Sequence, residues 1–234
     1  MLGCAILARL VKELHIRTLS PHRSGLPIAP EGFRLIVAAL VVAVALWWIG
    51  GHVAGIVGAA LCVFVVSFFR DPERSIPGDP GAIVAPADGR IINVARNEDA
   101  RFLDGEATLI SIFMSPLNVH VNRVPVTGRI VDIRYNQGKY FRAYAEKASL
   151  DNEQNAVVME DEHRRRLCFV QIAGFLARRI VCYLRPGMQV ERGQRFGMIR
   201  FGSRVDIYLP PEATPCVATG TNVYAGSTVI ARWL

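Results

Sequence analysis

Apolar and polar positions divide this chain into two unlike parts. From Leu35 to Phe69 run 35 residues without an Asp, Glu, Lys or Arg, interrupted near the middle by Gly50-Gly51-His52. One straight helix of that length would extend about 52 Å at roughly 1.5 Å per residue, against roughly 30 Å of hydrocarbon in a bilayer. The pattern therefore predicts two shorter helices, Leu35 to Ile49 and Val53 to Phe69, folded as a tilted or re-entrant membrane hairpin. Trp47 and Trp48 beside the turn suit an interface, and His52 reads as an interfacial or capping residue. A buried helical pair in a soluble protein is the alternative, and the unbroken lack of charge favours lipid.

The pattern changes abruptly after Phe69. Residues 70–81 hold Asp71-Pro72-Glu73-Arg74 and Pro77-Gly78-Asp79-Pro80-Gly81, which is linker and turn chemistry. Beyond it, nine short runs rich in Val, Ile, Phe and Tyr recur between turn signals: Arg90 to Ala95, Ala107 to Met114, Gly128 to Tyr135, Ala156 to Met159, Arg166 to Ile172, Ile180 to Leu184, Arg195 to Ile199, Val205 to Leu209 and Ser227 to Trp233. They predict a mainly β domain over 82–234, a sandwich or barrel, with one short helix at Gly138 to Ala148. The last run is apolar enough to be a strand buried on both faces.

Charge orients the hairpin. Arg9, Lys12, Arg17, Arg23 and Arg34 precede it and Arg70 and Arg74 follow it. A hairpin returns both basic flanks to one side, which predicts a cell-membrane protein with its β domain at the cytoplasmic face. Arg9, Lys12, Glu13 and Arg17 break up Ile6 to Leu19, so no cleaved export signal is expected in the basic segment 1–34. The 234 residues are 51% apolar and carry a formal net charge of +7. With no interleaved aromatics and basics for stacking, that balance points to an anionic membrane surface and away from nucleic acid. The five cysteines, Cys4, Cys62, Cys168, Cys182 and Cys216, lack metal or redox spacing and read as small buried hydrophobes in a reducing compartment. No metal site is expected.

Candidate chemistry is sparse. His-Glu-x-x-His, phosphate-loop and dinucleotide glycine patterns are missing, and the residue two after Ser227 is Val229, which excludes a hydrolase elbow. Two Gly-Ser pairs occur, Gly202-Ser203 and Gly226-Ser227. Each reads on its own as a turn, yet a serine after glycine can attack the preceding carbonyl and convert the amide to an ester. Loss of the ester carboxylate, with removal of the serine α-proton, leads through dehydroalanine to a pyruvoyl group. Asp88, in Ala85-Pro86-Ala87-Asp88-Gly89, sits at a turn signal. His120 is the one histidine of the domain in a strand-like apolar setting, open to a core or a catalytic role. His163 lies in a charge run typical of an exposed hairpin tip.

Six segments in order resemble the short, pyruvoyl-dependent form of the phosphatidylserine decarboxylase family: Phe68 to Arg74, Pro86 to Gly89, Met114 to Pro125, Gly138-Lys139-Tyr140, Phe201 to Asp206 and Ala225 to Thr228. The resemblance implies a proenzyme that cuts itself between Gly226 and Ser227. The products are a large β chain and a small α chain opening on a pyruvoyl group made from Ser227, and the choice falls on Ser227 over Ser203. It implies conversion of phosphatidylserine to phosphatidylethanolamine and CO2 through a Schiff base, with Asp88 orienting His120 in the manner of a triad and His120 donating a proton. Longer members carry two histidines three apart; here His120 matches the first and Arg123 occupies the second position. Arg123 and Lys139, with Arg70 and Arg74, are candidates to hold the substrate phosphate. Rival readings are the same chemistry on an archaetidylserine, or a noncatalytic, membrane-tethered β-rich binding module similar to lipoyl-type domains. Self-association into a homo-oligomer is left open.

Overall fold

A computed structural model describes residues 27–97, 102–103, 105–138, 152–174, 180–200 and 203–234. A short turn of 3-10 helix, Pro30–Gly32, leads into α1 (Phe33–Phe68). Fourteen strands follow among the described residues: β1 (Ala82–Val84), β2 (Gly89–Asn97), β3 (Ala107–Met114), β4 (Val121–Arg123), β5 (Gly128–Asn136), β6 (Gln154–Glu160), β7 (Arg166–Ala173), β8 (Ile180–Cys182), β9 (Gln189–Val190), β10 (Arg195–Ile199), β11 (Ser203–Leu209), β12 (Ala213–Pro215), β13 (Asn222–Val223) and β14 (Val229–Trp233).

Helix α1 reverses on itself. Gly51 breaks it with φ 71° and ψ −167°, a left-handed conformation that costs a residue with a Cβ roughly 1–2 kcal/mol. The arms 33–50 and 52–68 then pack side by side, so closely that a Cβ on Gly58 would stand 2.8 Å from the Cα of Ala43. The ends of the hairpin meet as well: the Ala29 N–H donates to the Phe69 carbonyl at 2.8 Å and the Asp71 N–H to the Pro27 carbonyl at 2.7 Å. Two helices broken at the glycine pair are therefore present as the charge pattern predicts. His52 sits edge-on to Trp47, with ring centres 5.0 Å apart. The outer faces of both arms expose Val41, Trp48, Ile49, Val53 and Val63.

The base of the hairpin is fixed to the β domain. Ala29, Phe68 and Phe69 are buried against Val119, Val121 and Met198, the Tyr183 hydroxyl bonds Glu31, and Arg70 donates to the Leu117 carbonyl at 2.7 Å.

The domain is built on a curled eight-stranded sheet in the order β13-β2-β3-β11-β7-β6-β5-β9, with antiparallel neighbours throughout. Two three-stranded sheets, β1-β14-β12 and β4-β10-β8, complete the domain. Alternation along the central strands accounts for their apolar runs. Val157, Met159, Leu167, Phe169, Val205 and Ile207 join the main core, while Ala156, Val158, Cys168, Val170 and Tyr208 pack on the opposite face with Phe102 and Leu103.

All nine predicted runs are strands, and the structure adds five of two or three residues each, β1, β4, β9, β12 and β13, too short to register as periodic patterns. Three expectations change. The C-terminal strand starts at Val229, not Ser227, and only Ile230 and Ala231 in it are buried; its security comes from lying between β1 and β12, which satisfy both of its edges. Cys168 is buried, but Cys216 is exposed and Cys62 and Cys182 are half-buried, so burial does not describe the cysteines as a set. Residues 70–81 are no free linker, since several of their side chains are built into the domain as described below. Of the helix expected at Gly138 to Ala148, all but Gly138 lies outside the described residues, as does Cys4.

Candidate active site

Antiparallel pairing gathers the candidate residues on one rim of the large sheet. Asp88 immediately precedes β2, Met114 ends β3 and Ser203 opens β11, opposite Met114. Strand β13 pairs Val223 with Gly89 and so delivers the following turn, Tyr224 to Thr228, beside Asp88.

That turn is held on both sides of the Gly226–Ser227 bond. The Gly226 N–H donates to the Ala85 carbonyl at 2.9 Å, and the Ala85 N–H donates to the Thr228 carbonyl at 2.8 Å. Within the turn, the N–H groups of Ser227 and Thr228 both donate to the Tyr224 carbonyl, at 3.1 and 3.0 Å, and the Tyr224 N–H donates to Thr228 Oγ1 at 2.9 Å. Gly226 has φ 76°, again left-handed. A Cβ there would lie 2.9 Å from Arg123 Cδ and 3.1 Å from Ile76 Cδ1, so close packing as well as conformation calls for glycine.

Asp88 braces the turn. Its Oδ1 accepts the Ala225 N–H at 2.8 Å and its Oδ2 accepts Arg74 at 2.7 Å. Burial raises its pKa above the usual carboxylate value, and the Ala225 N–H and the Arg74 charge work against that rise. The Arg74 guanidinium in turn lies over the Tyr224 ring, 5.6 Å from its centre.

His120 is wholly buried just ahead of β4, its ring 4.1 Å from that of Phe68 and inclined by 31°. Its Nδ1 is 2.9 Å from the Asn118 carbonyl. A carbonyl only accepts, so Nδ1 carries the proton and Nε2, which has no partner, holds a bare lone pair. Burial lowers the His120 pKa from 6.5 to about 4, opposed by the Asn118 bond and helped by the nearby Arg70 charge. Among the described residues no hydrogen bond joins Asp88 to His120, so the triad-like contact is not formed; the Arg70 charge acts on both.

The phosphate candidates separate. Arg123 is 4% exposed and its guanidinium is already engaged, donating to the Gly193 carbonyl at 3.0 Å, the Pro72 carbonyl at 2.9 Å and Asp71 at 3.4 Å. It is a buried tie rather than a free anion ligand. Lys139 lies outside the described residues. Ser203 is fully buried in a strand hydrogen-bonded on both sides, and its Oγ has no partner. His163 stands exposed at the β6–β7 turn as its charge run suggests. A cavity of about 1010 Å³ opens near that tip, lined by Arg129, His163, Arg165 and Trp233, and contains none of the residues around Gly226.

A model of the family described as phosphatidylserine decarboxylase matches residues 61–231. The chain belongs to the phosphatidylserine decarboxylase family. Among its relatives, a phosphatidylserine decarboxylase proenzyme of Geobacter metallireducens is 43% identical over 214 residues, covering 89% of this chain and 98% of the relative. Proenzymes of the same name from Oleidesulfovibrio alaskensis and Burkholderia vietnamiensis are 50% and 48% identical, over 87% and 88% of this chain and 93% and 95% of theirs. Membership of the phosphatidylserine decarboxylase family makes the chain a carboxy-lyase and sets aside the noncatalytic binding module.

Sequence reasoning missed the double anchor at Ala85, which lies in backbone, and the partners Tyr224, Asp71 and Ile76. Of these, only Asp71 carried a signal, as an acidic residue between basic ones in a Pro-containing stretch at the membrane exit.

Proposed function

We propose that the chain is a self-processing phosphatidylserine decarboxylase that forms phosphatidylethanolamine and CO2 with a pyruvoyl group made from Ser227. The observation that carries the reading is the turn at Gly226–Ser227, whose two sides are tied independently to Ala85. A cut there leaves Gly226 bonded through its N–H and Thr228 through its carbonyl. The released fragment 227–234 keeps strand β14 between β1 and β12.

Ser227 Oγ attacks the Gly226 carbonyl carbon; the C–N bond breaks as the new C–O bond forms, and the hydroxyl proton passes to the Ser227 nitrogen, leaving an ester and a free amine. Removal of the Ser227 α-proton then expels the Gly226 carboxylate. The resulting dehydroalanine takes up water and loses ammonia to leave the pyruvoyl group. Once present, that group supplies a ketone that condenses with the substrate amine and accepts the electrons released with CO2. The fit is favourable because residue 227 follows a left-handed glycine, at the head of a strand that stays in place.

His120 is neutral at physiological pH, with a bare lone pair on Nε2. The proton-donor role proposed for His120 would have it relay a proton to the carbon that CO2 leaves without holding the charge, because its buried site disfavours the imidazolium. Asp88 holds the cleavage turn through Ala225. Arg70, at the hairpin base, is a candidate cation for the lipid phosphate, although its guanidinium also donates to the Ser67 and Leu117 carbonyls.

The hairpin supports action at a bilayer. Arms of 17 to 18 residues reach about 26 Å at roughly 1.5 Å per residue, slightly less than the hydrocarbon thickness, and their exposed valines and tryptophans would be costly in water. Basic residues on both flanks support a reading in which the domain, and the lipid headgroup it meets, lie at the cytoplasmic face. The test is release of labelled CO2 from diacyl phosphatidylserine labelled in the serine carboxyl carbon. Wild-type protein releases it and Ser227→Ala does not; equal release by both would refute the role of Ser227.

A further inference from the structure

The stretch leaving the membrane hairpin reaches the cleavage turn through one buried arginine. Asp71 is fixed at the hairpin exit by its own N–H, bonded to the Pro27 carbonyl. Its carboxylate lies between two guanidinium groups, accepting Arg195 Nε at 2.6 Å through Oδ2 and Arg123 at 3.4 Å through Oδ1. Arg123 and Arg195 face each other across the β4–β10 pair, so Asp71 neutralises two like charges forced together by the strand register. Arg123 also donates to the carbonyls of Pro72 and Gly193. Its aliphatic stem then covers Gly226, with Cδ 2.9 Å from where a Cβ would be. Ile76, five residues after Asp71, packs over the same glycine and over Gly193. The α-carbon of the residue that must present its carbonyl to Ser227 is thus enclosed by one side chain from the hairpin exit and one that the hairpin exit holds.

We propose that Asp71, acting through Arg123, is a positioning residue for scission of the Gly226–Ser227 bond, so that docking of the hairpin exit onto the β domain is a condition for maturation. The inference rests on the self-processing reading above. Asp71 touches none of the reacting atoms. Its charge keeps the Arg123 guanidinium buried, and the buried guanidinium keeps the stem on Gly226, fixing the left-handed peptide against which Ser227 reacts. After the cut, the Gly226 carbonyl carbon is a free chain end and the restraint has no further task. Arg123 therefore stands at the second-histidine position of longer family members as a packing and charge element rather than as a base.

The experiment follows pulse-labelled full-length chain made in a cell-free system with phosphatidylglycerol–phosphatidylcholine nanodiscs. It reads conversion of the intact chain to the 226-residue fragment and, separately, phosphatidylserine turnover per cleaved molecule. Asp71→Asn and Arg123→Met, the latter keeping the stem but not the charge, are expected to slow conversion by about tenfold or more. Arg123→Lys, which restores a charge to Asp71, recovers part of the rate. Turnover per cleaved Asp71→Asn molecule stays within about twofold of wild type. Conversion of either Asp71→Asn or Arg123→Met at the wild-type rate overturns the proposal. So does a parallel fall in conversion and turnover, or a collapse of melting temperature in both variants, because each assigns the cluster to general stability. Failure of the wild-type chain to convert is a separate result and removes the self-processing reading itself.

Discussion

Protonation of His120 is the perturbation whose size the structure defines best. The ring is completely buried, Nδ1–H is committed to the Asn118 carbonyl and Nε2 faces no partner, so adding a proton there places a charge in a site that does not solvate it. The folded-state pKa falls from 6.5 to about 4. Below pH 6.5 the unfolded chain binds a proton that the folded chain refuses, and stability is lost as pH falls from about 6.5 toward about 4. Over that window the loss reaches roughly 3 kcal/mol, at about 1.4 kcal/mol per pH unit. Asp88 and Asp206, whose pKa values burial raises, act in the opposite direction in acid. The comparison must therefore be a difference between chains that share them. Denaturant unfolding of the uncleaved Ser227→Ala chain in detergent, from pH 7.5 down to pH 4.5, is compared with that of the same chain carrying His120→Gln. The difference in stability between the two is expected to shrink or reverse in favour of glutamine by roughly 2–3 kcal/mol across this range. Parallel pH profiles, or a directly titrated His120 pKa at or above 6.5, would refute the burial argument.

Two substitutions probe the glycine and the rejected serine. Gly226→Ala places a Cβ against Arg123 and Ile76 in addition to the left-handed penalty, whereas Gly187→Ala, with φ 87° and no atom within 4 Å of its Cβ, meets the conformational penalty alone. Both should lose roughly 1–2 kcal/mol by thermal unfolding, with a further loss and slowed self-cleavage only at Gly226; equal behaviour of the two would mean that packing over Gly226 is unimportant. Ser203→Ala removes a buried hydroxyl that has no partner, so it should self-cleave at the wild-type rate and melt no lower than wild type; uncleaved protein would return Ser203 to the reaction.

Much of the fold was legible because its causes are local. An uncharged run broken by two glycines codes for a hairpin, and alternation with turn residues codes for strands; both appear where the pattern puts them. Five of the two- and three-residue strands were not legible, since strands such as β1, β4 and β12 are defined by their pairing partners rather than by their own composition. The site divides in the same way. Ser227 and Gly226 stand out as a dipeptide with distinctive chemistry, but the anchors at Ala85 are backbone groups that any residue could supply. The roles of Asp88 and Arg123 depended on which groups the fold brings to them. Asp88 meets Ala225 and Arg74 instead of an imidazole. Arg123, which by type could bind a phosphate, is consumed by Asp71 and two carbonyls.

The proposed chemistry begins at one bond, and intact mass analysis of the purified protein shows whether it is cut. Cleavage between Gly226 and Ser227 predicts an eight-residue fragment, 227–234, bearing a pyruvoyl group in place of a free amino terminus, and its complete loss in Ser227→Ala. A single uncut chain, or a fragment that begins with unmodified serine, would contradict it.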